Sequence, residues 1–515
     1  MADPDPLVLG AHGVAAADVV AVARHGRRAT LGDEARTAIE RGAAVVDRLV
    51  DSPEPVYGVS TGFGALANTV IPAARSAELQ TALVRSHAAG MGSEVEREVV
   101  RAMVLLRARS LAMGFSGARP VVVDTMLAVL NAGLAPVVRE HGSLGASGDL
   151  APLASAAMVL LGEGEARRAD GSLVDGATAV TEAGAIPLVL RAKEGLALIN
   201  GTDGMLGLLV LALADLDVLL RAADIAGAMS TEALLGTDRA FAEDLVGMRP
   251  QLGQAVSAAN LRALLAGSAI VASHRHGDDR VQDAYSLRCT PQVHGAARDT
   301  VEHARAIAER ELESFIDNPV VLPDGRVESC GNFHGAPVAA VADFLAISIA
   351  DVGALSERRT DRLLDPNRSR GLPPFLSPDA GVNSGLMIAQ YTQAAMVAEN
   401  RRLAVPASTD TLPTSAMQED HVSMGWSAAR KLRLAVANLA RILAVELTAA
   451  SWGLDLRRPL TPAAGTAAAA GAVLAAAGGP GPDEWLAPRL AAVERLVIDG
   501  SLVTATESAL DVPLR

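Results

Sequence analysis

Apolar residues recur three and four positions apart along 120–132, 206–223, 299–311, 338–363 and 428–449. That spacing lines one face of an α-helix. Strand-like alternation is rare. Val320-Val321-Leu322, then Pro323-Asp324-Gly325, then Arg326-Val327-Glu328 reads as one small hairpin. The pattern predicts a mainly α protein built on long, buried helices. Residues 463–477 are alanine-rich and stop at Gly478-Gly479-Pro480-Gly481-Pro482, as a peripheral helix would. The most apolar run, 205–214, meets Asp215 and Asp217 after about ten residues, half a bilayer span, and predicts a buried helix with no membrane partner.

Composition narrows this picture. At roughly 150 residues per domain, 515 residues that are 50% hydrophobic can form several domains or one large helical body with lobes. A net charge of -14 argues against a nucleic-acid partner, which would want clustered Lys and Arg. Two cysteines, Cys289 and Cys330, make neither a disulfide framework nor a Cys-rich zinc site, and low cysteine use suits a reducing compartment. The first residues carry neither the basic start nor the compact apolar run of a secretory leader, so a cytoplasmic location is expected. Aromatics are only 3%, so Leu, Val and Ala must fill the core. The positions of the three tyrosines, Tyr57, Tyr285 and Tyr391, are informative for that reason.

Four polar, glycine-rich segments interrupt the helical texture. They are Tyr57-Gly58-Val59-Ser60-Thr61-Gly62-Phe63-Gly64, Gly142-Ser143-Leu144-Gly145-Ala146-Ser147-Gly148-Asp149, Asn200-Gly201-Thr202-Asp203-Gly204 and Gly331-Asn332-Phe333-His334-Gly335. Loops on a rigid scaffold are where chemistry concentrates. In the second, attack of the Gly148 nitrogen on the Ala146 carbonyl carbon would close a five-membered ring. Loss of water from the ring and from the Ser147 side chain would leave an exocyclic methylidene, an electrophile. Glycine suits the attacking position because a Cβ would obstruct closure. Asp149-Leu150-Ala151-Pro152 then reads as a helix start. A helix N-terminus facing the ring would stabilise negative charge developing there. Ala-Ser-Gly by itself is an ordinary loop as readily as an electrophile.

Two other motifs are set aside. Glu419, Asp420 and His421 are adjacent and do not share a face, so no metal site is expected from them. Gly162-Glu163-Gly164-Glu165 lacks the third glycine of a dinucleotide fingerprint.

The longer run Gly142-Ser143-Leu144-Gly145-Ala146-Ser147-Gly148-Asp149-Leu150-Ala151-Pro152-Leu153 closely resembles the signature of the aromatic amino acid ammonia-lyases. These enzymes carry a 4-methylidene-imidazol-5-one (MIO) group condensed from their own backbone. The resemblance extends from about residue 18 to about residue 454, with several motifs in the family's order. It implies the mainly α, long-helix fold shared with the fumarase-like superfamily. It implies a smaller N-terminal lobe at 1–205 with the Tyr57 loop, the His87 helix and the MIO loop, and a long-helix bundle with a C-terminal helical region at 206–515. Relatives are typically homotetramers whose active sites draw on three chains.

Residue roles follow from the same resemblance. Ala146, Ser147 and Gly148 would form the MIO, with no metal, pyridoxal phosphate or nucleotide needed. Tyr57 would take the β-proton. Arg288 would bind the substrate carboxylate; on sequence alone it could equally pair with Asp283. Gln282 and Tyr285 would position substrate and ring. Asn200 would bond near the MIO carbonyl, although Asp203-Gly204 stands where many relatives carry Gln and a small residue. Phe333 would line the pocket beside the electrophile. His87, spaced with Leu79, Leu83 and Val84 on an apolar face, is a core histidine on pattern alone; the resemblance turns it toward the substrate ring. Glu419 stands where the histidine-acting members keep a glutamate and those acting on phenylalanine or tyrosine keep a glutamine. Deamination of L-histidine to trans-urocanate, the first step of histidine degradation, is therefore expected. A tyrosine or phenylalanine ammonia-lyase or an aminomutase is the nearest alternative. An inactive helical scaffold or a fumarase-like lyase without MIO is the alternative from another class.

Overall fold

A computed structural model describes residues 5–50, 52 and 54–515. It is mainly α. The helices that matter here are α1 (Ser76–His87), α2 (Arg97–Ala112), α3 (Leu150–Leu160), α4 (Glu194–Ile199), α5 (Asp203–Ala233), α6 (Leu252–Leu265), α7 (Thr290–Glu313), α8 (Ala336–Leu364) and α9 (Gly425–Leu456). Helices α5, α7, α8 and α9 contain their predicted segments and run beyond them, the segment predicted at 120–132 forms a helix over Pro120–Asn131, and α2 has no predicted counterpart. The predicted hairpin is present, with β1 (Val320–Val321) antiparallel to β2 (Val327–Glu328) and Val321 opposite Val327. Helices α8 and α9 are long and apolar enough to cross a membrane, but 61% and 83% of their most apolar windows are buried within the chain. They are core helices. Residues 205–214 lie in α5; 205–213 are buried and only Ala214, next to Asp215, is half-buried.

The chain forms two compact units. The first gathers Met1–Leu211, Arg305–Asp343 and Pro406–Arg430, running past residue 205 and taking in two later stretches. Its core helix α2 is buried from Val99 to Ala112, and Arg101, Arg107 and Arg109 are buried with it. A buried cation is tolerable only when its donors are satisfied. Arg101 donates to the carbonyls of Val22 and Leu130 at 2.8 and 2.9 Å. Arg107 donates to those of Asn200 and Ile316 at 2.6 and 2.7 Å and lies 3.4 Å from Asp203. Arg101 ties two neighbouring helices, and Arg107 two loops, to α2.

The second unit comprises Ala212–Ala304, Phe344–Val405 and Lys431–Arg515. Apolar residues of α5, α8 and α9 fill it, each fully buried leucine contributing about 1.5–3 kcal/mol. Two buried polar clusters inside it are bonded. Asp224 accepts from Ser257, Asn260, His294 and Arg298 at 2.6–2.8 Å. Arg359 pairs with Glu446, both fully buried.

Candidate active site

The 142–148 turn is clamped from two directions within the first unit. On one side Gly148 bridges Gly201 in parallel, and the Asp149 N–H donates to the Gly201 carbonyl at 2.7 Å. On the other, Ser423 Oγ donates to the Gly145 carbonyl at 3.0 Å and the Met424 N–H to the Leu144 carbonyl at 2.8 Å. Gly145 and Gly148 have φ of 68° and 77°, a left-handed backbone that favours glycine. A Cβ on Gly148 would fall inside the van der Waals shell of Gly201's backbone. The turn thus leaves no room for a side chain at 148, and Ser147, half-buried, faces a cavity. That arrangement fits the backbone ring implied by the sequence.

Asp149 behaves differently from its sequence reading. It precedes α3 but makes no side-chain cap to it. Its Oδ2 accepts the Gly204 and Met205 N–H groups at 2.9 and 2.8 Å, so it caps α5 instead, while Ser143 Oγ donates to Oδ1 at 2.9 Å. Burial pushes its pKa up to about 7, against the pull of these three donors.

A cavity of about 970 Å³ opens over the turn. Of the residues singled out in the sequence, Tyr57, Ala146, Ser147, Phe333 and Glu419 line it. Ser147 Oγ lies 3.4 Å from Glu419 Oε1. The phenol oxygen of Tyr57 accepts the Gly64 N–H at 3.3 Å. Burial raises the Tyr57 pKa, Glu419 and Asp317 add to the rise, and the Gly64 N–H opposes it.

His87 ends α1, half-buried, outside the cavity lining. Its Nδ1 donates to the Leu83 carbonyl at 2.9 Å, which leaves Nε2 as an acceptor in the neutral ring. Burial lowers its pKa, partly offset by the Leu83 carbonyl and Glu419. Asn200 is 2% exposed and lies behind the lining, its Nδ2 donating to Asp317 Oδ1 at 3.1 Å and to the Asn318 carbonyl at 2.8 Å. Its Oδ1 is buried with no partner among the described residues.

Gln282, Tyr285 and Arg288 belong to the second unit and do not line the cavity. There Asp283 pairs with Arg280 at 3.0 Å. Arg288 instead lies over the Tyr285 ring, 4.5 Å from its centroid, and its Nε is buried without a partner among the described residues.

The sequence assigns no role to three further residues: His334 stands only as a member of its loop, His421 is set aside with Glu419 and Asp420, and Lys193 is not singled out. His334 and His421 line the cavity with parallel rings 5.6 Å apart; burial, reinforced by His421, lowers the His334 pKa. Lys193, fully buried, puts Nζ 2.9 Å from Asp317 Oδ2 beneath Asn200. No local pattern reveals these, because each partner comes from a distant segment. Lys193 lies between Arg191 and Glu194, a charged stretch with nothing in the sequence to mark it as buried.

The family model for aromatic amino acid lyases matches residues 14–475. The chain is 62% identical to the histidine ammonia-lyase of Streptomyces avermitilis, over 98% of each protein. It superposes on the crystal structure of histidine ammonia-lyase from Trypanosoma cruzi with a TM-score of 0.89 at 38% identity, covering 98% of this chain and 96% of that one. On tyrosine aminomutase from Streptomyces globisporus the TM-score is 0.92 at 36% identity, covering 99% and 100%. The chain belongs to the aromatic amino acid lyase family.

Proposed function

We propose that this chain is a histidine ammonia-lyase, a carbon-nitrogen lyase that converts L-histidine to trans-urocanate and ammonia. The observation that carries the reading is Glu419, whose carboxylate sits in one cavity with Ser147 and Tyr57. A carboxylate can accept an imidazole N–H. A phenyl ring would offer its Oε1 no donor, and sites built to hydrogen-bond a substrate reject the apolar analogue by roughly 10⁴–10⁵.

The MIO condensed from Ala146, Ser147 and Gly148 supplies the electrophile that turns the amine into a leaving group. The crowded glycine at 148 and the cavity facing Ser147 support it. The rest falls to ordinary side chains. Glu419, with His87 Nε2 as an acceptor, orients the imidazole. Phe333 packs beside the reacting end. Tyr57 removes a β-proton that the adjacent imidazole makes more acidic. Arg288 holds the substrate carboxylate through its planar fork, and Gln282 and Tyr285 position the substrate. Tyr285 exposes 71% of its surface outside the cavity lining, which supports a homotetramer whose neighbouring copies complete the site. Two free cysteines suit the cytoplasm.

Purified protein is offered L-histidine, L-tyrosine and L-phenylalanine side by side while near-ultraviolet absorbance is followed, and its intact mass is measured. Urocanate from histidine, and a mass short by two waters, are expected. Ser147→Ala restores the full mass and abolishes turnover. The likeness to tyrosine aminomutase favours tyrosine as the second reading. Turnover of tyrosine without histidine would replace the proposal with that one.

A further inference from the structure

Ser415, Ala416 and Met417 have φ of 51°, 50° and 72°. Three consecutive non-glycine residues in the left-handed region are rare, and each costs free energy that its surroundings must offset. The turn is closed by a bridge between Thr414 and Glu419. The Thr414 N–H donates to the Glu419 carbonyl at 2.9 Å, and the Glu419 N–H to the Thr414 carbonyl at 3.2 Å. Thr414 Oγ1 also donates to Glu419 Oε2 at 3.0 Å. That bond fixes the carboxylate and leaves Oε1 toward Ser147.

The same turn reaches the Tyr57 loop. Two successive amides of that loop hold two hydroxyl oxygens. The Gly64 N–H donates to the Tyr57 oxygen at 3.3 Å, and the Ala65 N–H donates to Ser415 Oγ at 3.2 Å. Ser415 Oγ also fills the space a Cβ on Gly64 would need, whereas Ser415 Cβ would stay 3.7 Å from that atom. A shift of Ser415 therefore moves the amide that touches Tyr57.

We propose that the Thr414–Glu419 turn, with Ser415 as its link, is a positioning element that holds the Tyr57 oxygen and the Glu419 carboxylate in one frame. The inference rests on the proposed roles of those two residues. Ser415 lies outside the cavity lining. It acts by keeping the Gly64 N–H on the phenol oxygen, where a donor favours the phenolate. Glu419 and Asp317 act on Tyr57 in the opposite sense. Asp420, His334, His421 and Cys330 share the cavity lining.

The test is the pH profile of kcat/KM for wild type, Ser415→Ala, Ser415→Gly, Gly64→Ala and the Ser415→Ala/Gly64→Ala double variant. It is read on whichever of L-histidine and L-tyrosine the wild type turns over. Ser415→Ala should move the rising limb up by about one pH unit and cost about tenfold in kcat/KM at neutral pH, with the lost rate recovered at high pH. Ser415→Gly should do the same, although it relieves the left-handed backbone. Gly64→Ala should be far less harmful in the Ser415→Ala background than in wild type, because the oxygen it strikes is gone. A rising limb unmoved in both Ser415 variants overturns the proposal, as do additive effects in the double variant. A role in folding alone would lower thermal stability and leave the limb in place. Tyrosine turnover without histidine turnover rejects the substrate assignment and leaves the Ser415 result readable; no turnover of either rejects both.

Discussion

Lys193 and Asp317 form an ion pair from which water is excluded, with both side chains fully buried and Nζ 2.9 Å from Oδ2. Removing one partner of such a pair strands the other charge, at a cost of about 3–5 kcal/mol. Lys193→Met is the cleanest perturbation. It removes the ammonium but keeps most of the stem that packs beside Gly58. The backbone at 193 is left-handed, with φ of 68°, in both proteins, so that strain cancels from the comparison. Asp317 Oδ1 keeps the Asn200 Nδ2 donor at 3.1 Å and the Asn318 N–H at 2.7 Å, while Oδ2 loses the ammonium. Lys193→Met and Asp317→Asn should each destabilise by about 3–5 kcal/mol. The double variant should cost less than their sum by about 2 kcal/mol, because it strands no charge. Guanidinium unfolding midpoints, followed by circular dichroism at one protein concentration, give the differences; absolute stabilities are not needed for a chain of two units. Additivity within about 0.5 kcal/mol, or a Lys193→Met cost below about 1 kcal/mol, would refute the reasoning.

Arg288→Ala should weaken substrate binding by about 1.5–3 kcal/mol, the worth of a hydrogen bond to a charged group, and should appear as a raised KM for L-histidine; an unchanged KM counts against its role. At Asp224, burial would push the pKa up, but Arg298, His294 and Ser257 overcome it and hold the carboxyl at about 2. A depressed carboxyl stabilises the fold above its ordinary value and loses that contribution as pH falls through about 2. The stability advantage of wild type over Asp224→Asn should therefore shrink by on the order of 2 kcal/mol between pH 5 and pH 2, measured by unfolding midpoints.

Helices and hairpin were legible because their signal is local. The three-four spacing at 338–363 sits inside α8, and the turn between the two Val-rich runs sits between β1 and β2. The ring-forming turn was legible because its chemistry lies in adjacent residues. Glu419 and Tyr57 could be singled out one by one, but not their distance from Ser147. What escaped depends on partners far along the chain. Arg107 looks like a polar-face residue of an amphipathic helix, yet it is buried and bonded to the carbonyls of Asn200 and Ile316. Asp149 looks like a residue of its own helix, yet its carboxylate caps α5. Ser415 carries no sequence signal, because its left-handed turn uses no glycine.

The bridge between Gly148 and Gly201 spans a long stretch of chain and needs the loop before α5 to have docked. A nascent chain that has not emerged past residue 201 has no surface against which to press the 142–148 turn. Non-local contacts of this kind form late. On the proposed chemistry, cyclisation would follow collapse of the first unit and would not reverse if the chain later unfolded. The missing water mass would then be a covalent record of folding history, marking every molecule that had once reached the native state.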